Sequence, residues 1–272
     1  GTYNATTGTT TITDEDSVTG YAWDVNGTYN NNDGGVTFDL GSGVDSHIRT
    51  GQSDGANSFH NLTVLLNAST NTLTMRPNTG TVMTIEGNLT ISEGVLQKNT
   101  HSHTLTVTGN VEIHAGGKID ATSASGAMNM GSLTIDAGGT YLATTGTTEI
   151  TSAASNYAIS NAGTFTHNDG TVTITGGSNQ WLHNGPYYNL ISNNDSSIGM
   201  GIGANITVAN DLTVNASKNV GWVSAGNTLT VTGDVIVNGY LNKYNSSTVT
   251  ADLSFGSLTI ASGGTYYATS GT

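Results

Sequence analysis

Short triplets of apolar, Thr, apolar recur along the chain. Leu-Thr-Val or Leu-Thr-Ile stands at residues 62–64, 89–91, 105–107, 133–135, 212–214, 229–231 and 258–260. A period of two predicts a short strand with its aliphatic residues on one face and Thr on the other. Val and Ile favour strands, and Thr suits the exposed face. Gly, Asn and Asp separate the triplets, as in Asn32-Asp33-Gly34-Gly35 and Asn168-Asp169-Gly170, which are turn sequences. Nowhere do apolar residues keep helical spacing for three turns, and no capped helix start stands out. The pattern predicts an all-β chain with essentially no helix.

A longer period lies above the triplets. Gly1-Thr-Tyr-Asn-Ala-Thr-Thr-Gly-Thr-Thr-Thr-Ile-Thr13 matches 139–151, and the same segment begins again at Gly264. Residues 27–37 match 163–173, 104–111 match 228–235, and 131–135 match 256–260, all in the same order. This register predicts one repeat unit over 1–138, a second over 139–263, and the start of a third at 264–272. The length difference falls mostly between Asp39 and Thr84, as expected of loop variation. The repetition at both ends suggests a segment of a longer array, or a subunit that polymerises end to end.

Sandwiches, propellers and solenoids are all built from many short strands. A sandwich does not explain a repeat that restarts, and a propeller needs a blade signature every ~40–50 residues. A parallel β-solenoid (β-helix) fits best, because stacked coils share an apolar core that one coil cannot bury alone. At roughly 20 residues per coil, about six coils would fill each unit. The 7% aromatic content suits a narrow lumen filled by aliphatic side chains. Polar Thr and Asn ladders between coils would stiffen the wall. Terminal coils would leave strand edges open to pairing.

The segment Gly-Ser-Leu-Thr-Ile-x-x-Gly-Gly-Thr-Tyr-x-Ala-Thr-x-Gly-Thr, at 131–147 and 256–272, resembles the repeats of long extracellular β-solenoid surface proteins of bacteria and archaea. That adhesin and filament group includes filamentous-haemagglutinin-like proteins and autotransporter passengers. The resemblance implies export to the cell surface or a secreted fibre, a structural or adhesive role, and no catalytic residue to carry over.

Composition narrows the functions further. Of 272 residues, 37 are Gly, 2 are Pro and none is Cys. Charged residues make up 9%, against about 25% in an ordinary domain. Six Lys and Arg against 19 Asp and Glu give a net charge of −13. So few basic residues argue against nucleic acid as a partner. Without Cys there is no disulfide framework and no thiolate site. No apolar run approaches the ~20 residues of a membrane helix. Hydrophobic residues reach 35%, enough for narrow buried stripes. An acidic surface would keep long fibres soluble and mutually repelling.

Candidate chemistry is sparse. Asp14-Glu15-Asp16 offers hard oxygen ligands for Ca²⁺, but the second unit carries Ser152-Ala153-Ala154 there, which favours a solvated turn. His101, His103 and His114 could meet as a metal cluster, yet the second unit has Ala225, Asn227 and Asn238 there. The reading taken is no metal and no cofactor. The acids are dispersed and no pair repeats with useful spacing, so a solenoid carbohydrate enzyme is disfavoured. Asp33 and Asp169 correspond, but each stands in an Asn-Asp-Gly turn with a local backbone role. Tyr3, Tyr141 and Tyr266 recur at equivalent positions, as core or stacking residues do. Trp23, Trp181 and Trp222 are spaced irregularly and are the candidates for stacking on surface glycans. Nine Asn-x-Ser/Thr sequons match the roughly eight expected by chance in a chain this rich in Asn, Ser and Thr. The expected function is a structural repeat segment of an extracellular filament or stalk, with itself as partner. The alternative is a glycan-binding adhesin or phage-fibre-like module whose variable stretch, 39–84, carries the recognition.

Overall fold

A computed structural model describes residues 1–41, 45–50, 57–76, 82–98, 102–242 and 250–271. The fold is an all-β parallel β-solenoid, with no helix among the described residues. The chain forms two compact units. The first comprises Gly1–Met130, Thr134–Gly146 and Ala162–Thr164, and the second Gly131–Leu133, Thr147–Asn161 and Phe165 onward.

In the first unit the triplets stack as the alternation predicts. Thr9–Ile12, Gly35–Asp39, Asn61–Leu65, the start of Leu89–Lys98 and the end of Thr104–Ile113 form one parallel ladder. Val36, Leu62, Leu89 and Val111 make one inward row. Phe38, Val64, Ile91 and Ile113 make the next, and all eight side chains are buried. Between the rows, Thr37, Thr63, Thr90 and Glu112 face outward and stay half-buried. Each inward residue is covered from both sides along the row, which stabilises by roughly 1.5–3 kcal/mol per large aliphatic. A second ladder runs through Tyr21–Asp24, Ser46–Arg49, Thr72–Met75, the end of Leu89–Lys98, Gly117–Asp120 and Thr140–Leu142.

The second unit follows the same logic. Val172, Leu190, Leu212 and Val235 form a buried row. Beside it run Ile174, Ser192, Val214 and Val237. Ser192 is polar but satisfied, its hydroxyl donating to the Asn219 carbonyl at 2.9 Å.

Coils range from 18 residues, Thr171 to Asn189, to 27, Leu62 to Leu89. Most therefore exceed the expected 20. The long coils also correct the expectation of an aliphatic lumen. Where the first unit's coils take 26 residues, as from Thr9 to Gly35, the wider interior is filled by Trp23, Tyr29, Phe38 and Phe59, with centroids 4.9–6.3 Å apart.

Corners are made by two glycine chemistries. Asn32 and Asp33 both have positive φ (48° and 59°), and Gly34 N–H bonds back to the Asn31 carbonyl. That is a type I′ turn. Asn168 and Asp169 repeat it at 47° and 57°. At the second type, Gly138 has φ 88° and Gly139 lies where a Cβ would sit 2.6 Å from the Ile113 carbonyl oxygen of the preceding coil. Gly116-Gly117 and Gly263-Gly264 repeat this corner.

The sequence repeat and the coil are out of phase. In the first unit, Thr2–Asn4 pairs with Thr28–Asn30, whereas the equivalent Thr140–Leu142 belongs to the ladder begun by Tyr21–Asp24. The 138 residues between the two copies hold a non-integral number of coils. The same words thus serve different faces, which is possible because every face asks for the same alternation.

Candidate functional site

The three tryptophans separate. Trp23 belongs to the interior aromatic cluster and is 8% exposed. Trp222 is 1% exposed, its indole N–H donating to the Asn227 carbonyl at 2.9 Å. Neither offers a ring face to a sugar, a correction to the sequence expectation. Their positions explain it: Trp23 continues the inward row of Ile48 and Met75, and Trp222 that of Leu182 and Ile202.

Trp181 is the outward middle residue of Gln180–Leu182 and is half-buried. It pairs in register with Tyr157, ring edge to face at 5.4 Å, and with Gly201 on its other side. A Cβ at Gly201 would lie 2.6 Å from the Trp181 ring, so the indole lies across that glycine. His183 stands 5.6 Å from Tyr157. Tyr157, Trp181 and His183 thus form an aromatic patch on the second unit's wall. One aromatic per coil on an outward row is the signal that marks it in the sequence.

The other sequence candidates resolve as local structure. Asp16 accepts from the Thr19 hydroxyl at 2.7 Å and the Val18 N–H at 3.0 Å, which together hold its carboxyl below the usual range. Asp14 accepts from the Glu15 N–H. His103 and His114 flank opposite ends of the ten-residue strand Thr104–Ile113. His103 is buried, and His114 Nδ1 lies 2.6 Å from Asp136. His101 lies outside the described residues, as does much of the variable stretch, 42–44, 51–56 and 77–81.

Two arrangements escape the sequence reading. Asp33, His60 and Glu86, on successive coils of the first unit, bring three ligating atoms within 4.8 Å of one another. His60 Nδ1 is 3.6 Å from Asp33. Glu86 is already engaged by the Ser58 hydroxyl and the Asn31 amide, which hold its carboxyl below its ordinary range. The trio therefore serves as a link between coils whether or not a cation joins it. The second arrangement is Lys98, which follows Ile48 and Met75 along an inward row and is fully buried. Its ammonium donates to the Gly126 carbonyl at 2.6 Å, and burial pushes its pKa down to about 8. Strand alternation from Leu96 is the signal that places it inside.

Asn side chains stitch coil to coil. Asn61 Oδ1 accepts from the Asn88 N–H, and Asn88 Oδ1 from the Asn110 N–H, at 2.8 and 2.9 Å. In the second unit Asp211 accepts from the Asp234 N–H, and Asp234 from the Ser257 hydroxyl.

Among the described residues no helix is long and apolar enough to cross a membrane. Comparison with family models, with curated proteins and with solved structures returns no match for this chain.

Proposed function

We propose that the chain is a structural repeat segment of an extracellular filament or stalk. The observation that carries this reading is the set of inward aliphatic rows running from coil to coil, stitched at the corners by Asn and Asp. Such a core adds stability with every coil and needs no disulfide. The reading gives the chain no catalytic residue. The charge of −13 supports it, since like-charged fibres stay apart in solution. The test is immunogold labelling of the source cells with antibody against this chain. Gold along surface or secreted fibres is expected. Label confined to the cell interior overturns the proposal.

The Tyr157–Trp181–His183 patch favours a second reading, a glycan-binding module. An aromatic face on a rigid wall can stack on a sugar ring. A glycan array probed with the chain and with Trp181→Ala decides it. Binding that the substitution removes supports recognition at this patch. Silence of the unsubstituted chain ends that reading.

A further inference from the structure

One sequence block occurs twice with opposite burial. In the copy at 131–147, Leu133, Ile135, Tyr141 and Ala143 are at most 2% exposed. In the copy at 256–272, Leu258 is 38% exposed, Ile260 48% and the neighbouring Tyr267 37%. The strand Leu253–Ile260 pairs with Leu229–Val237, and Thr265–Tyr266 with Tyr240–Leu241. Their far sides lie open, and the inward positions of Leu258 and Ile260 look out on solvent.

The coil that covers the internal copy is known residue by residue. Ser152 N–H donates to the Gly131 carbonyl, Ala162 N–H to Ile135 and Thr164 N–H to Gly139, at 2.8, 2.8 and 3.0 Å. By the repeat, Ser152, Ala162 and Thr164 correspond to Asp14, Asn26 and Thr28. Gly131, Ile135 and Gly139 correspond to Gly256, Ile260 and Gly264. The N-terminal coil therefore carries the sequence that covers this block. One of the three bonds already exists within the chain: Thr28 N–H donates to the Gly1 carbonyl at 3.0 Å. The close packing matches too. A Cβ at Gly27 would lie 2.1 Å from the Gly1 oxygen, and one at Gly163 2.4 Å from the Gly139 oxygen.

This exposes a redundancy. Residues 1–9 and 264–272 agree at seven of nine positions. Each begins with the glycine carbonyl that Gly27-Thr28 requires. Thr2–Asn4 is exposed along its whole length and pairs with Thr28–Asn30 in a sheet of two strands. We propose that two copies of the chain join end to end by segment exchange. The residues from Gly264 of one copy displace residues 1–8 of the next from their place beside Thr28–Asn30. The remainder of the second copy's first coil then covers Leu258 and Ile260. The expected bonds across the junction are Asp14 N–H to Gly256, Asn26 N–H to Ile260 and Thr28 N–H to Gly264. The occupant of the open edge is a second copy because its first coil repeats the coil that covers the internal block. This rests on the filament reading, which it supplies with a joint.

Exchange makes an unusual prediction for truncation. In the intact chain the two segments compete for one place, which slows joining. Removing either residues 1–8 or residues 264–272 leaves one segment for one place. Removing both leaves the place empty. Sedimentation of purified chains at matched concentration should show joining about tenfold tighter for either single truncation, the factor a modest competing segment withholds. The double truncation should fall back to the intact level or below. In the full chain, Ile260→Lys should abolish joining while its circular dichroism and melting stay near those of the parent, since this side chain is half exposed. The absence of Cys allows a direct check of register. Chains carrying Thr28→Cys and Thr265→Cys, mixed and oxidised, should form a mixed disulfide dimer in preference to either chain alone. Monomers for the intact chain and both single truncations overturn the proposal, as does joining indifferent to Ile260→Lys or a mixed pair that does not cross-link selectively. None of these outcomes touches the immunogold test, so a failed joint and a failed filament reading remain distinguishable.

Discussion

Lys98 shows what one residue costs in a continuous core. A lysine normally titrating at 10.5 does so at about 8 when buried here. Between these values the unfolded chain holds a proton that the folded chain has released, so stability rises with pH. The gain is up to about 3 kcal/mol and spans about pH 8 to 10. Above that range the buried phenols of Tyr29 and Tyr187, both raised by desolvation, reverse the trend as the unfolded chain ionises. Met fits the row that Met75 already occupies. Lys98→Met is expected to stabilise the chain at pH 7 by roughly 1–3 kcal/mol and to flatten the rise above pH 8. Urea midpoints measured across that pH range check both effects.

Elements are set by their corners as much as by their strands. Gly139 has no room for a side chain, because carbonyl oxygens of Ile113 and His114 stand 2.6 and 3.1 Å from its Cβ position. Gly177 has nothing within 4 Å. Gly139→Ala is expected to cost roughly 1–3 kcal/mol, and Gly177→Ala to be neutral or slightly stabilising. Equal losses at the two sites, in parallel melts, would contradict the close approach of successive coils. The Asn61, Asn88 and Asn110 chain acts at the same scale. Each amide oxygen satisfies a backbone N–H one coil on, a bond worth about 1 kcal/mol.

At the scale of the whole molecule, stability should grade along the stack. A residue in the middle of a row has neighbours on both sides, whereas Leu258 and Ile260 have them on one. Opening at the edge costs less than opening within a row. Hydrogen exchange is expected to be faster at Leu253–Ile260 than at Leu212–Val214. Uniform protection across both strands would mean that the edge is already covered in solution. Because the chain carries −13, contact between copies should strengthen with added salt, which screens their repulsion. Sedimentation at low and moderate salt checks this.

The sequence alone determined the class of fold. Leu62-Thr63-Val64 and its relatives can bury one face and wet the other only as strands, and the absence of helical spacing excludes the rest. The repeats, read as copies of one unit, implied stacking. It also fixed the Asn-Asp-Gly corners, because few residues tolerate two consecutive positive φ angles. Tertiary structure decided which face each copy serves, since Thr2–Asn4 and Thr140–Leu142 share a sequence but lie on different ladders. It decided that Trp23 and Trp222 turn inward while Trp181 stays at the surface, because inward and outward depend on register with the neighbouring coil. It also decided the fate of Leu133 and Leu258, identical in local sequence and opposite in burial. Local sequence sets the direction in which a side chain points, and only the next coil determines whether that direction is covered.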